Sequence, residues 1–285
     1  MKIGIIGLGL MGGSLGKTLK KLGGYEVYGY DINETSILKA DMLGAINGEL
    51  NLENAKQLDM LIVSIYPSSF LSSIEKYLPV LKDGAIITDF CGIKRQTVED
   101  MKVLAEKYPN LVFIGGHPMA GREFSGIDRS VATLFDRASM ILTNVNADIF
   151  VLEKVKNFYL SLGFAEVVIT SPEYHDRAIA FTSQLCHIVS NAFIKNKIAS
   201  EHFGYSAGSY KDLTRVARLN PEMWAELMTM NSDNLVSELD ELIENLSKYS
   251  VALKSGNKAE LKQLLSEGND RKLLIDSRKN ENYKR

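Results

Sequence analysis

The run Gly115-Gly116-His117-Pro118-Met119-Ala120-Gly121-Arg122-Glu123-Phe124-Ser125-Gly126 gathers an imidazole, a guanidinium and a carboxylate in a stretch too rich in glycine to be helical. It follows an apolar segment, Leu111–Ile114, that reads as a buried strand. A loop is therefore expected at the carboxyl end of that strand, where open α/β sheets bind ligands. His117 on such a loop suits general acid–base work. At the amino terminus, Gly7-Leu8-Gly9-Leu10-Met11-Gly12 fits GxGxxG between a predicted strand and a predicted helix. Its glycines allow a tight turn and close approach of backbone to a pyrophosphate, whose charge a helix N-terminus stabilises. A glycine turn without a ligand is the other reading of that motif. Asp31 favours the first: it ends the second strand 19 residues after Gly12, where a carboxylate accepts hydrogen bonds from an adenosine ribose. Asp31 also repels a 2′-phosphate, and no arginine follows it in Ile32-Asn33-Glu34, so NAD is expected rather than NADP. A histidine beside a bound nicotinamide would be the acid–base partner of hydride transfer.

Further polar positions cluster in short segments. Val63-Ser64-Ile65-Tyr66-Pro67 ends another strand in a small polar residue and a turn. Ser64 and Tyr66 are expected beside the ribose–nicotinamide end of the cofactor, and a plain strand-to-loop transition would read the same way. His175-Asp176 falls in the first turn of a long helical pattern, where the helix dipole favours a carboxylate, so local capping stands beside a functional reading. Ser183, Gln184 and His187 lie three or four residues apart and share a helical face. On composition alone His187, inside the apolar run Ile179–Phe193, reads as a core histidine. Lys211-Asp212-Leu213-Thr214-Arg215-Val216-Ala217-Arg218 follows a glycine-rich loop and precedes Asn220-Pro221-Glu222-Met223-Trp224. Basic side chains there suit a carboxylate-bearing substrate, arginine best through its bidentate fork, with a solvated charged face as the alternative.

The elements that must position these groups are of two kinds. Strands are expected at Lys2–Ile6, Glu26–Tyr30, Met60–Ile65, Ala85–Thr88, Leu111–Ile114, Met140–Leu142 and Ala165–Ile169, alternating with helical patterns such as Val151–Leu162. That spacing predicts an α/β fold, a Rossmann-type doubly wound parallel sheet covered by helices on both faces. After Thr170 the strand pattern stops. Ser171-Pro172 is a helix start signal, and helices are expected over Glu173–Ile198, Leu213–Arg218, Met223–Ser247 and Lys258–Leu265, with a weakly helical or frayed charged tail from Ser266. Residues 1–168 are thus expected to form a dinucleotide-binding domain and 169–285 an all-helical domain. A net charge of −2 gives no reason to expect nucleic acid or an anionic membrane as partner. With only Cys91 and Cys186, and no Cys/His ligand spacing, no metal site is expected and a reducing compartment is. The apolar start is interrupted by glycines and runs into Lys17, Lys20 and Lys21, which reads as a folded βα unit rather than a signal peptide. A cytoplasmic protein is expected.

Taken together, the 115–121 run with Ser125-Gly126, the His175-Asp176 pair, Ser183…His187 and Tyr210–Arg215…Pro221-Glu222-Met223-Trp224 resemble the prephenate dehydrogenase family, which includes the cyclohexadienyl and arogenate dehydrogenases of tyrosine biosynthesis. The resemblance covers residues 1–250, and the 115–121 run combined with Lys211–Arg215 is its most specific part. It implies a Rossmann domain followed by a helical domain that builds an interlocked homodimer, and oxidative decarboxylation of prephenate by NAD⁺ to 4-hydroxyphenylpyruvate. It also implies roles for residues. His117 accepts the ring hydroxyl's hydrogen bond or proton, Arg215 anchors a substrate carboxylate, and His187 helps hold the side-chain end. Glu123, Asp212 and Trp224 form a gate, with Ser183 and Lys211 among the substrate-binding or gating positions. Neither the regulatory ligand-binding domain nor the amino-terminal mutase helices of some members are expected. Two positions depart from the family pattern: Gly92 stands where members carry a serine, and Ser183-Gln184-Leu185-Cys186-His187 replaces Ser-His-Leu-Pro-His. Arogenate is the rival substrate, and Gln184 could serve either. A reductase of the β-hydroxyacid or imine type would need a lysine on the first helix of the second domain, where none occurs before Lys195. A non-catalytic NAD-binding redox sensor is the non-enzymatic alternative, against which His117, His187 and Arg215 argue.

Overall fold

A computed structural model describes residues 1–122, 124–202 and 204–282. The strands are β1 (Lys2–Ile6), β2 (Glu26–Tyr30), β3 (Gly48–Glu49), β4 (Met60–Val63), β5 (Ile86–Asp89), β6 (Val112–Pro118), β7 (Ser139–Asn144) and β8 (Glu166–Ile169). They form one sheet in the order β3-β2-β1-β4-β5-β6-β7-β8. Side chains of each central strand alternate between two buried layers: Met60 and Ile62 enter the layer of Ile3, Leu15 and Val27, whereas Leu61 and Val63 enter that of Phe70, Ile87 and Phe113. With both faces covered, the strands read as unbroken apolar runs. β3, two residues long, is too short to leave a periodic signal.

The sheet is not wholly parallel as expected. Neighbours are parallel except β6 and β7, which run antiparallel with His117 opposite Ile141. A parallel return needs a crossover helix. The chain between β6 and β7 holds only the short turn Ile127–Arg129 among the described residues, so it comes back beside β6 in the opposite sense.

The later part is helical, with four departures from expectation. The helix expected over Leu213–Arg218 instead spans Gly208–Thr214 and stops before Arg215. The helix expected over Glu173–Ile198 runs as Pro172–Ile179, a π-helical stretch Ala180–Leu185 and Cys186–Phe193. The helix expected over Met223–Ser247 is two, Pro221–Met230 and Ser232–Lys254, interrupted at Asn231. The charged tail continues the helix Lys258–Asn282 rather than fraying. By contacts the chain divides after Ser232. In the second unit, the Tyr249 hydroxyl donates to the Leu264 carbonyl at 3.2 Å and ties its two helices together. No helix among the described residues is long and apolar enough to cross a membrane.

Candidate active site

The amino-terminal turn is shaped around an open space. Gly7 has φ +90°, and a side chain there would strike the Ser64 carbonyl at 2.2 Å; one at Gly12 would lie 1.9 Å from the Gly7 carbonyl. At Gly9 nothing lies within 4 Å. Gly9 is the N-cap of the helix Leu10–Leu22, which has no side-chain cap. A helix start with bare amides facing open space fits a pyrophosphate. Leu8 is buried, and its amide donates to Asp31 at 2.7 Å; the other Asp31 oxygen accepts from the Asn33 amide at 2.9 Å. These two contacts hold the carboxylate at the tips of β1 and β2, where a ribose would lie. Leu10 and Met11 form the first helical turn. The Ser64 amide donates to the Ile6 carbonyl at 2.7 Å, prolonging the β1–β4 pairing past Val63, and Tyr66 is exposed beyond it. The residues present fit a dinucleotide.

His117 is not on a loop. β6 continues through Gly115 and Gly116 to Pro118. The glycines reflect crowding between strands: a Cβ at Gly115 would meet Thr143 Oγ1 at 2.2 Å, and one at Gly116 would meet the Asp89 carbonyl at 2.6 Å. Close backbone approach, not turn formation, is the reason for them. Next to His117, the Gly116 amide donates to Asp89 Oδ1 at 2.9 Å. Asp89 also accepts the Cys91 amide and is ion-paired to Lys94, both side chains being fully buried.

Behind His117 lies a chain of hydrogen bonds that sequence reasoning did not assemble. His117 Nδ1 is 2.8 Å from His175 Nε2, and His175 Nδ1 is 2.7 Å from Asp176 Oδ1. Asp176 accepts from the Lys94 amide at 2.7 Å and from the Arg95 amide and Nε at 3.0 and 3.2 Å. It therefore caps not its own helix, whose N-cap is Ser171, but the start of the helix Arg95–Lys107, which lacks a cap of its own. Asn231 donates to the Asp176 carbonyl and to Gln184 Oε1, each at 2.8 Å, and accepts from Arg95 at 3.0 Å. Gln184 in turn donates to the Leu227 carbonyl at 2.9 Å. The buried Gln184 is thus held by a protein partner at each end of its amide. Asn231 interrupts the helical pattern because its side chain turns inward to these groups.

The charge states follow from burial. Loss of hydration, with His175 and Lys94 adding to it, holds the conjugate acid of His117 well below the usual histidine range. Burial likewise lowers His175, against the pull of Asp176. For Asp176, burial would raise the pKa, but the hydrogen bonds from His175, Lys94 and Arg95 outweigh it and keep the carboxyl below its ordinary range. At neutral pH the chain is two neutral imidazoles ending on a carboxylate.

The helix Pro221–Met230 links this cluster to the other expected residues. Leu227 packs at Gly92, where an added Cβ would lie 3.3 Å from Leu227 Cδ1 and 3.9 Å from His117 Cε1. One turn earlier, Trp224 packs against His187 with ring centroids 3.9 Å apart and planes tilted by 37°. His187 Nδ1 donates to the Val216 carbonyl at 3.1 Å, and burial, with the Arg215 charge adding to it, keeps the ring neutral. Arg215, Lys211 and Asp212 are exposed, and Ser183 sits half-buried in the π-helical stretch. Arg218 and Arg129 flank the Phe124 ring at 5.9 and 5.1 Å, joining the segment after His117 to the one after Arg215. Glu123 lies outside the described residues. No cluster of metal-ligating side chains occurs among the described residues.

Residues 15–168 match the family model described as the nucleotide-binding domain of prephenate dehydrogenase, and residues 171–267 match that of its dimerization domain. The chain belongs to the prephenate dehydrogenase family. It is an NAD-dependent oxidoreductase with the nucleotide-binding and helical halves of that family. It is 30% identical to a Bacillus subtilis prephenate dehydrogenase over 86% of this chain and 68% of that protein. Among solved structures it resembles prephenate dehydrogenase from Aquifex aeolicus in complex with hydroxyphenyl propionate and NAD⁺ (TM-score 0.83, 30% identity, 96% of this chain and 98% of that one). It also resembles Synechocystis arogenate dehydrogenase (TM-score 0.79, 27% identity, 96% and 100%). The glycine turn of residues 7–12 precedes the first matched segment, so its assignment rests on its geometry.

Proposed function

We propose that this protein oxidises and decarboxylates prephenate to 4-hydroxyphenylpyruvate. The observation that carries the reading is a neutral His117 whose Nδ1 is engaged inward, at the carboxyl end of β6 in the same sheet as the dinucleotide turn. The bound nicotinamide supplies the hydride acceptor. His117 Nε2 takes the proton of the ring hydroxyl as hydride leaves the carbon that bears it, and the O–H electron pair becomes the second bond of a carbonyl. The ring carboxylate then departs as CO₂; its C–C pair enters the ring and moves the carbonyl pair back onto oxygen. That oxygen recovers the proton from His117 as the phenol forms. Prephenate and NAD⁺ thus give 4-hydroxyphenylpyruvate, CO₂ and NADH with no net proton released, so the residues around His117 have only to hold one proton between two steps. Arg215 anchors a substrate carboxylate, helped by Lys211, while His187 and Ser183 hold the side-chain end, with Trp224, Asp212 and Glu123 as gate residues.

Arogenate is the second reading, favoured by the similarity to the Synechocystis enzyme over nearly the whole chain. Incubating the purified protein with NAD⁺ and either substrate, while following NADH and CO₂, separates them: prephenate is expected to turn over with the larger kcat/KM, and preference for arogenate would reverse the assignment. We infer a cytoplasmic homodimer, with residues 1–168 binding the nucleotide and 169–285 serving substrate and dimer. The helical part supports this through apolar residues left exposed, among them Phe181, Ile198, Ile243, Leu246 and Leu265.

A further inference from the structure

We infer that His175 and Asp176 are positioning residues that fix the tautomer of His117 and share the proton it takes. The inference rests on the role of His117 proposed above, and its logic runs inward to outward. A carboxylate only accepts hydrogen bonds, so His175 carries its proton on Nδ1, 2.7 Å from Asp176. His175 Nε2 is then a lone pair, and at 2.8 Å it accepts from His117 Nδ1–H. His117 Nε2 is left without a proton, which is the form a base needs. Reversing the state of Asp176 would reverse each step and leave His117 a donor, unable to take the substrate's proton.

The same chain gives the proton somewhere to go. When the substrate O–H bond breaks, its proton bonds to His117 Nε2 and its electron pair stays on oxygen. The Nδ1 proton of His117 can then pass to His175 Nε2, the bonding pair remaining on His117. The charge moves from His117 to His175; Lys94 opposes it at both rings, and Asp176 hydrogen-bonds and attracts it at the second. Reversing both transfers returns a proton to the phenol oxygen. The charged and titratable groups around the pair are Lys94 and Asp89 on one side and Asp176 and Arg95 on the other. Lys94 is already committed to Asp89, and Arg95 to Asp176 and Asn231. Asp176 also caps the helix Arg95–Lys107, so a purely structural role is the competing account and the test must separate the two.

Histidine-selective ¹⁵N labelling reads the tautomers directly, in the wild-type protein and without substrate; the chain has only four histidines to assign. Both His117 and His175 are expected as Nδ1–H at neutral pH, and His117 found as Nε2–H would overturn the inference. In kinetics, His175→Gln offers an amide that cannot take up charge. It should lower kcat on the order of 10²-fold. The acidic limb of its kcat/KM profile should move to lower pH, because the charge on protonated His117 can no longer pass toward Asp176, so that His117 gives up its proton more readily. A lower kcat with an unmoved limb would leave only a structural role, and unchanged kinetics would likewise refute the relay. Loss of the relay with His117→Asn still inactive spares the base assignment; an active His117→Asn removes it.

Discussion

Behind His117 the polar groups of His175, Asp176, Asn231 and Gln184 are buried and joined to one another by hydrogen bonds of 2.7–2.8 Å. By contrast, Lys211, Asp212, Arg215 and Arg218 stand exposed on a short helix and the segment that follows it. The inner cluster has lost its hydration and cannot relax around a missing partner, so its orientation is set before substrate arrives. The rim is solvated and screened, and the role proposed above for its charges is to attract and hold an anion. The inner side should therefore govern fold and turnover, and the rim affinity.

Substitutions on each side can break or sharpen that division. The largest effect on stability is expected at Lys94. Lys94→Met leaves Asp89 buried without its partner and should cost about 3–5 kcal/mol in chemical denaturation. A cost below about 1 kcal/mol would mean that the inner cluster does relax. On the rim, Arg215→Ala should forfeit about 1.5–3 kcal/mol of charge-assisted contact, a 10- to 150-fold rise in KM with little change in kcat. An unmoved KM would place the carboxylate elsewhere. The smallest effect is expected at Gly92, between His117 and Leu227. Its φ is not in the left-handed region, and an added Cβ would press only on the flexible tips of Leu227. Gly92→Ser should fold, put a hydroxyl near His117 Cε1, and leave kcat unchanged or raise it up to about tenfold, the worth of one neutral hydrogen bond. A clear loss of melting temperature would show that Leu227 has no room to move.

Much of this architecture was legible in the chain because burial on both faces writes itself as apolar runs; β1 and β2 were read to the residue. The extension of β6 was not, since glycines that admit a neighbouring strand look the same as glycines that make a turn. The cradle at Gly7–Gly12 and Asp31 was readable from spacing. The relay was not: His175 and Asp176 were seen as a pair, but their partners are 58 residues back at His117 and 82 back at Lys94, and only the fold joins them. Asn231 gave no signal at all, because a helix break made by a buried side chain has no glycine or proline to mark it.

The division between inner cluster and rim is tested most directly by the steady-state constants of His117→Asn, measured beside its affinity for NAD⁺. The account predicts kcat lower by about 10²–10⁴-fold, the usual contribution of a general base, with NAD⁺ affinity and fold preserved. A kcat within a few-fold of the parent protein, or a defect confined to KM, would contradict it.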